Sequence, residues 1–354
     1  MKKNLIAGAA LLAIALGAQA QSNVQVMGTA DVYVGSIKMA GDAAKTTKLD
    51  GGGLTTSWFG FKGTEDLGGG LKAEFAYTAF INPSNGTMGN RFPGDTAFSR
   101  DANVALAGGF GRVQVGRGLA PNFLPSIIFN PLGDSFTFSP LVLHMNVPLF
   151  NGSGWADTPA RSTPSDTGWN SEVLYSTPNF GGLSANVHYQ LGNQASTSAN
   201  SGAKNLGLNV LYFNGPLALT AFYEKDQVGN PGAAPAIFAA NKTDWMVGGS
   251  YDLQAVKLFG TYGGAKNNAT NNTGNTTSLG LSSPVGAGKI VAAYARTTID
   301  VNATKAGSTA RTTATVGYDY NLSKRTDVYA MLMSDKITNL STGTSFGVGI
   351  RHKF

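Results

Sequence analysis

Apolar and polar residues alternate one by one along most of the chain, which is the pattern of β-strands with two different faces. Between 183 and 190, for example, Leu183, Ala185 and Val187 share one face, while Asn186 and His188 share the other. One such segment is weak evidence, but a whole chain of them predicts a sheet with one face in hydrocarbon and one in water. Sixteen segments follow the pattern: 23–35, 54–62, 70–80, 98–107, 111–118, 170–177, 183–192, 203–212, 216–226, 242–251, 255–264, 276–283, 288–298, 310–320, 326–336 and 344–354.

The connections between these segments alternate in length. The short ones are rich in Gly, Pro, Asn or Asp and cover 63–69, 108–110, 178–182, 213–215, 252–254, 284–287 and 321–325. The long ones begin near Ser36, Ile81, Leu119, Asn193, Gln227, Ala265, Ile299 and Ile337. Outer membrane barrels have short periplasmic turns and long outer loops, so we expect an all-β, 16-stranded antiparallel transmembrane β-barrel. A soluble β-solenoid or a large sandwich is the alternative, but neither explains the alternation of loop lengths.

The two ends of the chain fit this interpretation. Residues 344–354 form an alternating strand that ends on an aromatic, Phe354. An open sheet edge in lipid leaves costly unsatisfied backbone groups, so we expect Phe354 to help close the barrel against the first strand. Residues 1–20 have a positive start, a short apolar core and a small-x-small cleavage site, which predicts a signal peptide followed by a barrel at 21–354. The apolar stretch is shorter than the ~20 residues of a membrane-spanning helix, which disfavours an anchor.

Composition narrows the class of protein further. The chain has 47 Gly, 14 Pro, 42% hydrophobic and only 13% charged residues, with no long apolar run after residue 20. It has no Cys, which excludes a disulfide framework and thiolate chemistry. Removing Lys2 and Lys3 of the predicted signal peptide leaves 24 of the 26 basic residues against 20 acidic ones, a formal +4, which is too dilute to indicate nucleic acid binding and is a weak hint of anionic solutes.

Five short motifs carry a family resemblance. They are FGFKGTEDLGGGLKAEF (59–75), GGFGRVQVGR (108–117), YSTPNFGG (175–182), NLSKRT (321–326) and GIRHKF (349–354). In this order the chain resembles the general trimeric porins of Gram-negative bacteria, particularly those of the beta-proteobacteria. The resemblance implies a homotrimer of water-filled barrels in the outer membrane, each with its third outer loop folded inward. It also implies passive diffusion of small hydrophilic solutes and ions with a mild anion preference, contact with outer membrane lipid and lipopolysaccharide, and folding by the outer membrane assembly machinery.

The candidate constriction loop is visible without the family. Residues 119–169 form the longest stretch without alternation, and they contain seven prolines together with several Phe and Ile residues. Loops of this length are usually functional or disordered, and aromatics gain by burial, so we expect the loop to fold into the barrel. Its acidic residues Asp134, Asp157 and Asp166 are the candidate constriction carboxylates, with Asp134 first because it lies deepest in the aromatic stretch. Each of the three also suits the simpler role of capping a turn.

Parity along the strands places further charges in the lumen. If Phe59 and Phe61 face out, Trp58 and Lys62 face in, and the same rule turns Lys72 and Glu74 inward. A Lys or Arg on the lipid face near the midplane would cost ~2 to 4 kcal/mol, which supports the assignment. Taken singly, each such charge is more simply explained as hydrating the lumen wall.

Two arginines are stronger candidates for the basic side of the constriction. Arg117 ends the strand that leads into the long loop, and Arg100 matches an arginine in the basic cluster of the resembling porins. The family often carries further arginines where this chain has Trp58 and near Trp169, which weakens the expectation of strong anion selectivity. Pore-lining Trp58 and Trp169 suggest an alternative, a substrate-specific outer membrane channel, although Trp is more often a packing residue.

Catalysis is not expected. His144, His188 and His352 are the only histidines, and no metal-binding or phosphate-binding motif occurs, so we predict no catalytic residues, no metal and no cofactor. A structural anchor or adhesin is the third class of function, but such proteins usually carry a peptidoglycan-binding domain that this chain lacks. The sequence therefore favours a diffusion channel over a specific channel, an enzyme or an anchor.

Overall fold

A computed structural model describes residues 23–88, 96–145, 168–191, 204–228, 240–268, 271–300 and 309–354. The predicted signal peptide therefore lies outside the described residues. Within these ranges, two short helices, α1 (Phe123–Ile128) and α2 (Pro140–Met145), accompany eighteen strands. In chain order the strands β1 to β18 are Asn23–Ile37, Thr46–Gly51, Trp58–Gly68, Leu71–Asn82, Thr87–Met88, Asp101–Gly108, Gly111–Leu119, Gly168–Ser176, Leu183–Gln190, Leu206–Asn214, Leu217–Val228, Ala240–Asp252, Lys257–Asn267, Thr273–Val285, Gly288–Asp300, Thr309–Asn321, Thr326–Ile337 and Gly343–Lys353.

The described strands form one closed antiparallel barrel of sixteen staves. β2 and β3 are consecutive parts of one stave, because the upper part of β1 pairs with β2 and the lower part with β3. β5 pairs only with the outer end of β4 and is not a stave. β1 also pairs with β18, from Thr29 opposite Lys353 to Ser36 opposite Phe346. The barrel and its sixteen strands are confirmed.

Strand boundaries differ from the sequence prediction mainly in the second stave. β3 continues to Gly68, so the expected connection at 63–69 shrinks to a turn at Gly69 and Gly70, both with positive φ. The upper part of that stave, β2, was not predicted. Between β2 and β3 the chain leaves the sheet at residues 52–57 and bends into the barrel, where its backbone donates to Asp31.

Side chains follow the expected two-face rule. Large apolar residues such as Val34, Phe61, Tyr77 and Val104 are exposed on the outer face, where hydrocarbon replaces water. None of the helices within the described ranges has the length and apolar character needed to cross a membrane.

Candidate pore constriction

The third long loop, as far as residue 145, lies against the inner wall of the barrel. Its Phe138 is fully buried and packs edge-on against Tyr33, with ring centroids 5.8 Å apart. The Thr315 hydroxyl donates to the Phe138 carbonyl at 2.7 Å. We call the part of the wall that this loop covers, β10 to β17, the loop-bearing wall. The opposite part, β3 to β7, is the open wall.

Apolar side chains point inward from the loop-bearing wall and hold the loop. Leu141 of α2 packs on Phe222 and Met246, and Phe129 packs on Leu211 and Ala218. A larger cluster surrounds Phe138; its buried members are Tyr33, Leu54, Leu132, Phe138, Val291, Ala293, Tyr329, Met331 and Met333. Apolar side chains inside a water-filled barrel are stable only when something covers them, and here the loop does so.

The tip of the loop is held by the interruption between β2 and β3. Ser135 donates to the Gly53 carbonyl at 2.6 Å, and Thr137 donates to the Gly52 carbonyl at 2.8 Å. The interruption is itself held by the buried carboxylate of Asp31, which accepts the backbone N–H groups of Gly53, Leu54 and Thr55 at 2.9 to 3.0 Å. The Tyr329 hydroxyl also donates to Asp31. A strand position therefore fixes a bend that lies 22 to 24 residues away in the sequence.

Asp134 stands at this tip and faces two arginines. Its carboxylate accepts the Thr55 hydroxyl at 3.0 Å, and the same Thr55 oxygen accepts a hydrogen bond from Arg351 Nη1 at 3.0 Å. Burial raises the pKa of Asp134, while the Thr55 hydrogen bond and the charges of Arg351 and Arg100 act in the opposite direction. The candidate loop acid thus lies beside wall cations, as a constriction with opposed charges requires.

Arg351 was missed by sequence reasoning. It lies on β18 opposite Asp31 and pairs with Asp327 at 3.2 Å and Asp319 at 3.4 Å. Lys289 lies 3.7 Å from the same Asp319. The sequence places Arg351 on the polar face of the last strand, but no pattern in the neighbouring sequence indicates that this strand faces the loop.

Arg100 lies just before β6, with its side chain turned inward. It donates to Asp101 at 2.7 Å, and its guanidinium stands 4.1 Å from the centroid of the Trp58 ring. Arg100 precedes the strand, which explains why its side chain need not follow the parity of Val104. Because the ring carries a negative face, Trp58 positions the cation rather than offering a free stacking surface.

Lys62, Lys72 and Glu74 belong to the open wall. Glu74 pairs with Arg112 at 2.7 Å, a partner that the sequence did not single out. Lys62 and Lys72 have no ion-pair partner within the described ranges, nor has Lys353 at the end of β18. Lys72 stands opposite Asp66 in the β3–β4 register, whereas the residues opposite Lys62 are Ala76 and Gln25, so Lys62 is the lysine of the open wall without a carboxylate directly across from it.

Arg117 and Trp169 do not line the channel as expected. Arg117 is only 6% exposed and donates to the Ser99 carbonyl and to the Asn170 side chain, both at 2.6 Å. The β7–β8 register shifts between Gly116 and Gly118, and this irregularity turns Arg117 into the wall. Trp169 is fully buried with its ring edge-on to His188.

The remaining predicted residues are Phe354, Asp157 and Asp166. Phe354 exchanges two backbone hydrogen bonds of 3.1 Å with Gly28 of the first strand. Its ring lies where a side chain on Gly28 would have to stand. Asp157 and Asp166 lie outside the described residues.

His144, within the loop, and His188, on β9, both have hydrogen-bond partners in the structure. His144 of α2 is fully buried, with its ring nitrogens 2.8 Å from the Thr297 and Thr313 hydroxyls. His188 pairs with Glu172 at 2.6 Å. In the part of the chain that the structure describes, no three metal-binding side chains converge.

The chain is similar in sequence and in fold to known outer membrane proteins. The family model of the Gram-negative porins matches residues 7–340. Outer membrane porin protein 32 of Delftia acidovorans is 32% identical over the full length of both chains. The solved anion-selective porin from Comamonas acidovorans is 27% identical, with a TM-score of 0.77 over 94% of this chain and all of that one. The trimer form of OmpT from Vibrio cholerae is 15% identical and shares the fold, with a TM-score of 0.67 over 94% of this chain and 99% of that one.

Proposed function

The chain belongs to the Gram-negative porin family and is an outer membrane porin, and on that premise we propose a passive diffusion channel with a mild anion preference. The observation that carries the proposal is the position of Asp134 beside Arg351 and Arg100, on a loop that narrows the barrel. Opposed rows of charge create a transverse field that orients water and dipolar solutes.

The preference is mild because the constriction arginines are largely neutralised where they stand. Arg100 has Asp101, and Arg351 has Asp319 and Asp327. The surplus rests on Lys62, which faces the lumen without a carboxylate of its own within the described ranges. The anion selectivity of the Comamonas acidovorans porin supports the sign of this preference.

The substrate-specific alternative is not favoured. It required exposed tryptophan faces in the lumen, but Arg100 covers Trp58 and Trp169 is fully buried.

The test is the reversal potential of the protein in planar bilayers across a salt gradient. Lys62→Gln should move it toward cations, and Asp134→Asn should move it toward anions. Lys336→Gln is the matched control, because Lys336 is an exposed lysine on the outer face of β17 and does not see the lumen. The proposal would be contradicted if Lys62→Gln and Asp134→Asn left the reversal potential unchanged, or if Lys336→Gln shifted it by as much as they do.

A homotrimer is part of this proposal. The outer face of β3 to β7 carries an apolar groove of about 520 Å³ lined by Phe75, Val104, Leu106, Val113 and Val115, which suits contact with a neighbouring subunit. A porin of the same fold has been solved in trimer form.

Two matched substitutions test the subunit contact. Val104 and Val247 are both 49% exposed on the outer face, but Val247 lies on β12, away from the groove. Val104→Asp should lower the trimer fraction in native mass spectrometry, whereas Val247→Asp should not. Equal loss in both variants would contradict this assignment of the interface.

A further inference from the structure

One side-chain hydroxyl lies between the acid of the loop tip and a cation of the barrel wall. Thr55 Oγ1 donates to Asp134 Oδ1 at 3.0 Å and accepts from Arg351 Nη1 at 3.0 Å. The carboxylate oxygen and the guanidinium nitrogen are therefore at most about 6 Å apart, the length of two such hydrogen bonds. Among the described residues, Arg351 pairs with Asp319 and Asp327, but no ion pair includes Asp134. Thr55 thus separates two opposite charges.

The position of this hydroxyl is fixed by the backbone of the bend at 52–57. The Thr55 N–H donates to the Asp31 carboxylate at 2.9 Å, as the N–H of Leu54 does. Asp31 is fully buried and also accepts the Tyr329 hydroxyl. A side chain that branches at Cβ has few χ1 rotamers, so a fixed backbone leaves the Thr55 oxygen little freedom. The hydroxyl is therefore a rigid spacer between the loop and the wall.

Two other arginines of the channel contact their carboxylates directly. Arg100 pairs with Asp101 and Arg112 pairs with Glu74, both at 2.7 Å. Contact at this distance is usual for a guanidinium and a carboxylate, because charge-assisted hydrogen bonds are short. The loop acid and Arg351 differ from these two pairs, because a hydroxyl takes the place between them that direct contact would close.

A separated pair of charges acts on a solute differently from a contact pair. The dipole of two opposite charges is proportional to the distance between them, so a separation of about 6 Å gives about twice the dipole of a contact at about 2.8 Å. Thr55, Asp134 and Arg351 are each partly exposed, so a solute in the constriction can approach them. The net charge is the same in both arrangements. Thr55 therefore sets the dipole of this site without altering its net charge.

We propose that Thr55 is a positioning residue that makes the constriction favour dipolar solutes over neutral solutes of the same size. The solute class is small zwitterions, whose ammonium group is drawn to Asp134 while their carboxylate is drawn to Arg351. Such orientation of a dipolar solute needs two charges that are held apart. The inference rests on the proposed diffusion channel with opposed charges, but not on the sign of its ion preference.

Swelling of proteoliposomes in glycine and in its neutral isomer glycolamide tests this role, because the two solutes have the same atoms and differ in charge separation. Thr55→Val replaces the hydroxyl by a methyl group, so Asp134 and Arg351 should come into contact. Because opposite charges in water interact by about RT at this range, halving the dipole should lower the ratio of the glycine rate to the glycolamide rate about twofold. Thr55→Ser keeps the hydroxyl and should keep the ratio. Thr137→Val is the matched control, because the Thr137 hydroxyl also ties the loop to the bend, 2.8 Å from the Gly52 carbonyl, but joins no charged groups.

A double-variant cycle separates positioning from packing. Asp134→Asn removes one of the two charges, so Thr55→Val should lower the ratio no further in that background, and a further fall there would overturn the proposal. So would a Thr55→Val ratio equal to that of Thr55→Ser, or an equal fall with Thr137→Val. The reversal potential should change little with Thr55→Val, because the net charge is unchanged. The solute ratio therefore reports on Thr55, while the reversal potentials of Lys62→Gln and Asp134→Asn report separately on the proposed ion preference.

Discussion

The two halves of the inner wall use the same strand geometry for opposite chemistry. Phe222, Met246 and Met331 of the loop-bearing wall point into the barrel and are buried, because the third loop lies on them. Lys62 and Glu74 of the open wall also point to the inside of the barrel, but no loop covers them and they face the channel. Inward orientation alone therefore does not predict polarity; what covers each half of the wall does.

This difference explains how a narrow channel is kept at a fixed width. Fully burying one large apolar side chain is worth about 1.5 to 3 kcal/mol, so the loop is held mainly by many contacts with one wall. The open wall then needs no contact with the loop, because the loop tip is held elsewhere: Asp134 accepts the Thr55 hydroxyl of the 52–57 bend, and Arg351 of β18 donates to the same Thr55 oxygen. Loosening the loop should therefore change conductance, and changing the open wall should change selectivity.

The largest effect that separates the two walls should come from acid acting on His144. Burial, with the neighbouring Arg311 charge, lowers the pKa of His144 from 6.5 to about 3, and Asp335 opposes this only in part. The covered loop thus requires neutral His144. The contribution of neutral His144 to the free energy of unfolding is complete above pH 6.5 and is lost as the pH falls toward 3. The loss is about 1.4 kcal/mol per pH unit, or about 5 kcal/mol in total.

Single-channel conductance and thermal unfolding between pH 7 and pH 3.5 measure this effect. The parent protein should lose loop contacts and show wider conductance fluctuations at low pH. His144→Gln should flatten that dependence, whereas His352→Gln, at an exposed site near the barrel end, should leave it intact. A flat profile in the parent protein would contradict the role of His144.

The next largest effect should come from Phe138. It is fully buried at the centre of the loop contacts, and Phe→Ala at such a site costs about 3 to 5 kcal/mol. Phe138→Ala should lower the unfolding temperature and increase single-channel conductance. Phe136 lies two residues away in the same loop but is 37% exposed, so Phe136→Ala is the control and should change both by much less. Similar shifts in the two variants would show that the loop is not held by its buried face.

Much of the barrel was predictable from sequence because alternation is a local property. The sequence of each strand alone indicates which side chains lie on each of its two faces. Tyr77 and Val104, for example, point outward as the alternation predicts. The surface that the loop covers could also have been predicted from the sequence. In β17, Tyr329, Met331 and Met333 place apolar side chains on the inward face, which a strand facing open water would not do.

The parts that escaped prediction depend on distant or irregular contacts. The bend at 52–57 is set by Asp31, which no local pattern connects to it. Alternation along β7 puts Arg117 on the outward face with Val113 and Val115, and only the register shift between Gly116 and Gly118 turns it into the wall, where it contacts Ser99 and Asn170. The sequence places Arg351 on the polar face of the last strand, but its position beside Asp134 depends on where the loop tip lies.

The smallest effect, and the sharpest test of the comparison, separates Arg100 from Arg117. Arg100 is a half-buried cation beside the constriction, so Arg100→Ala should move the reversal potential modestly toward cations, with a shift that shrinks as salt increases. Arg117 is buried in the wall by the Ser99 and Asn170 contacts, so Arg117→Ala should lower thermal stability and leave selectivity nearly unchanged. A selectivity change with Arg117 as large as that with Arg100 would mean that both arginines face the solute path. The boundary between the conducting surface and its supporting wall would then have to be drawn outside Arg117.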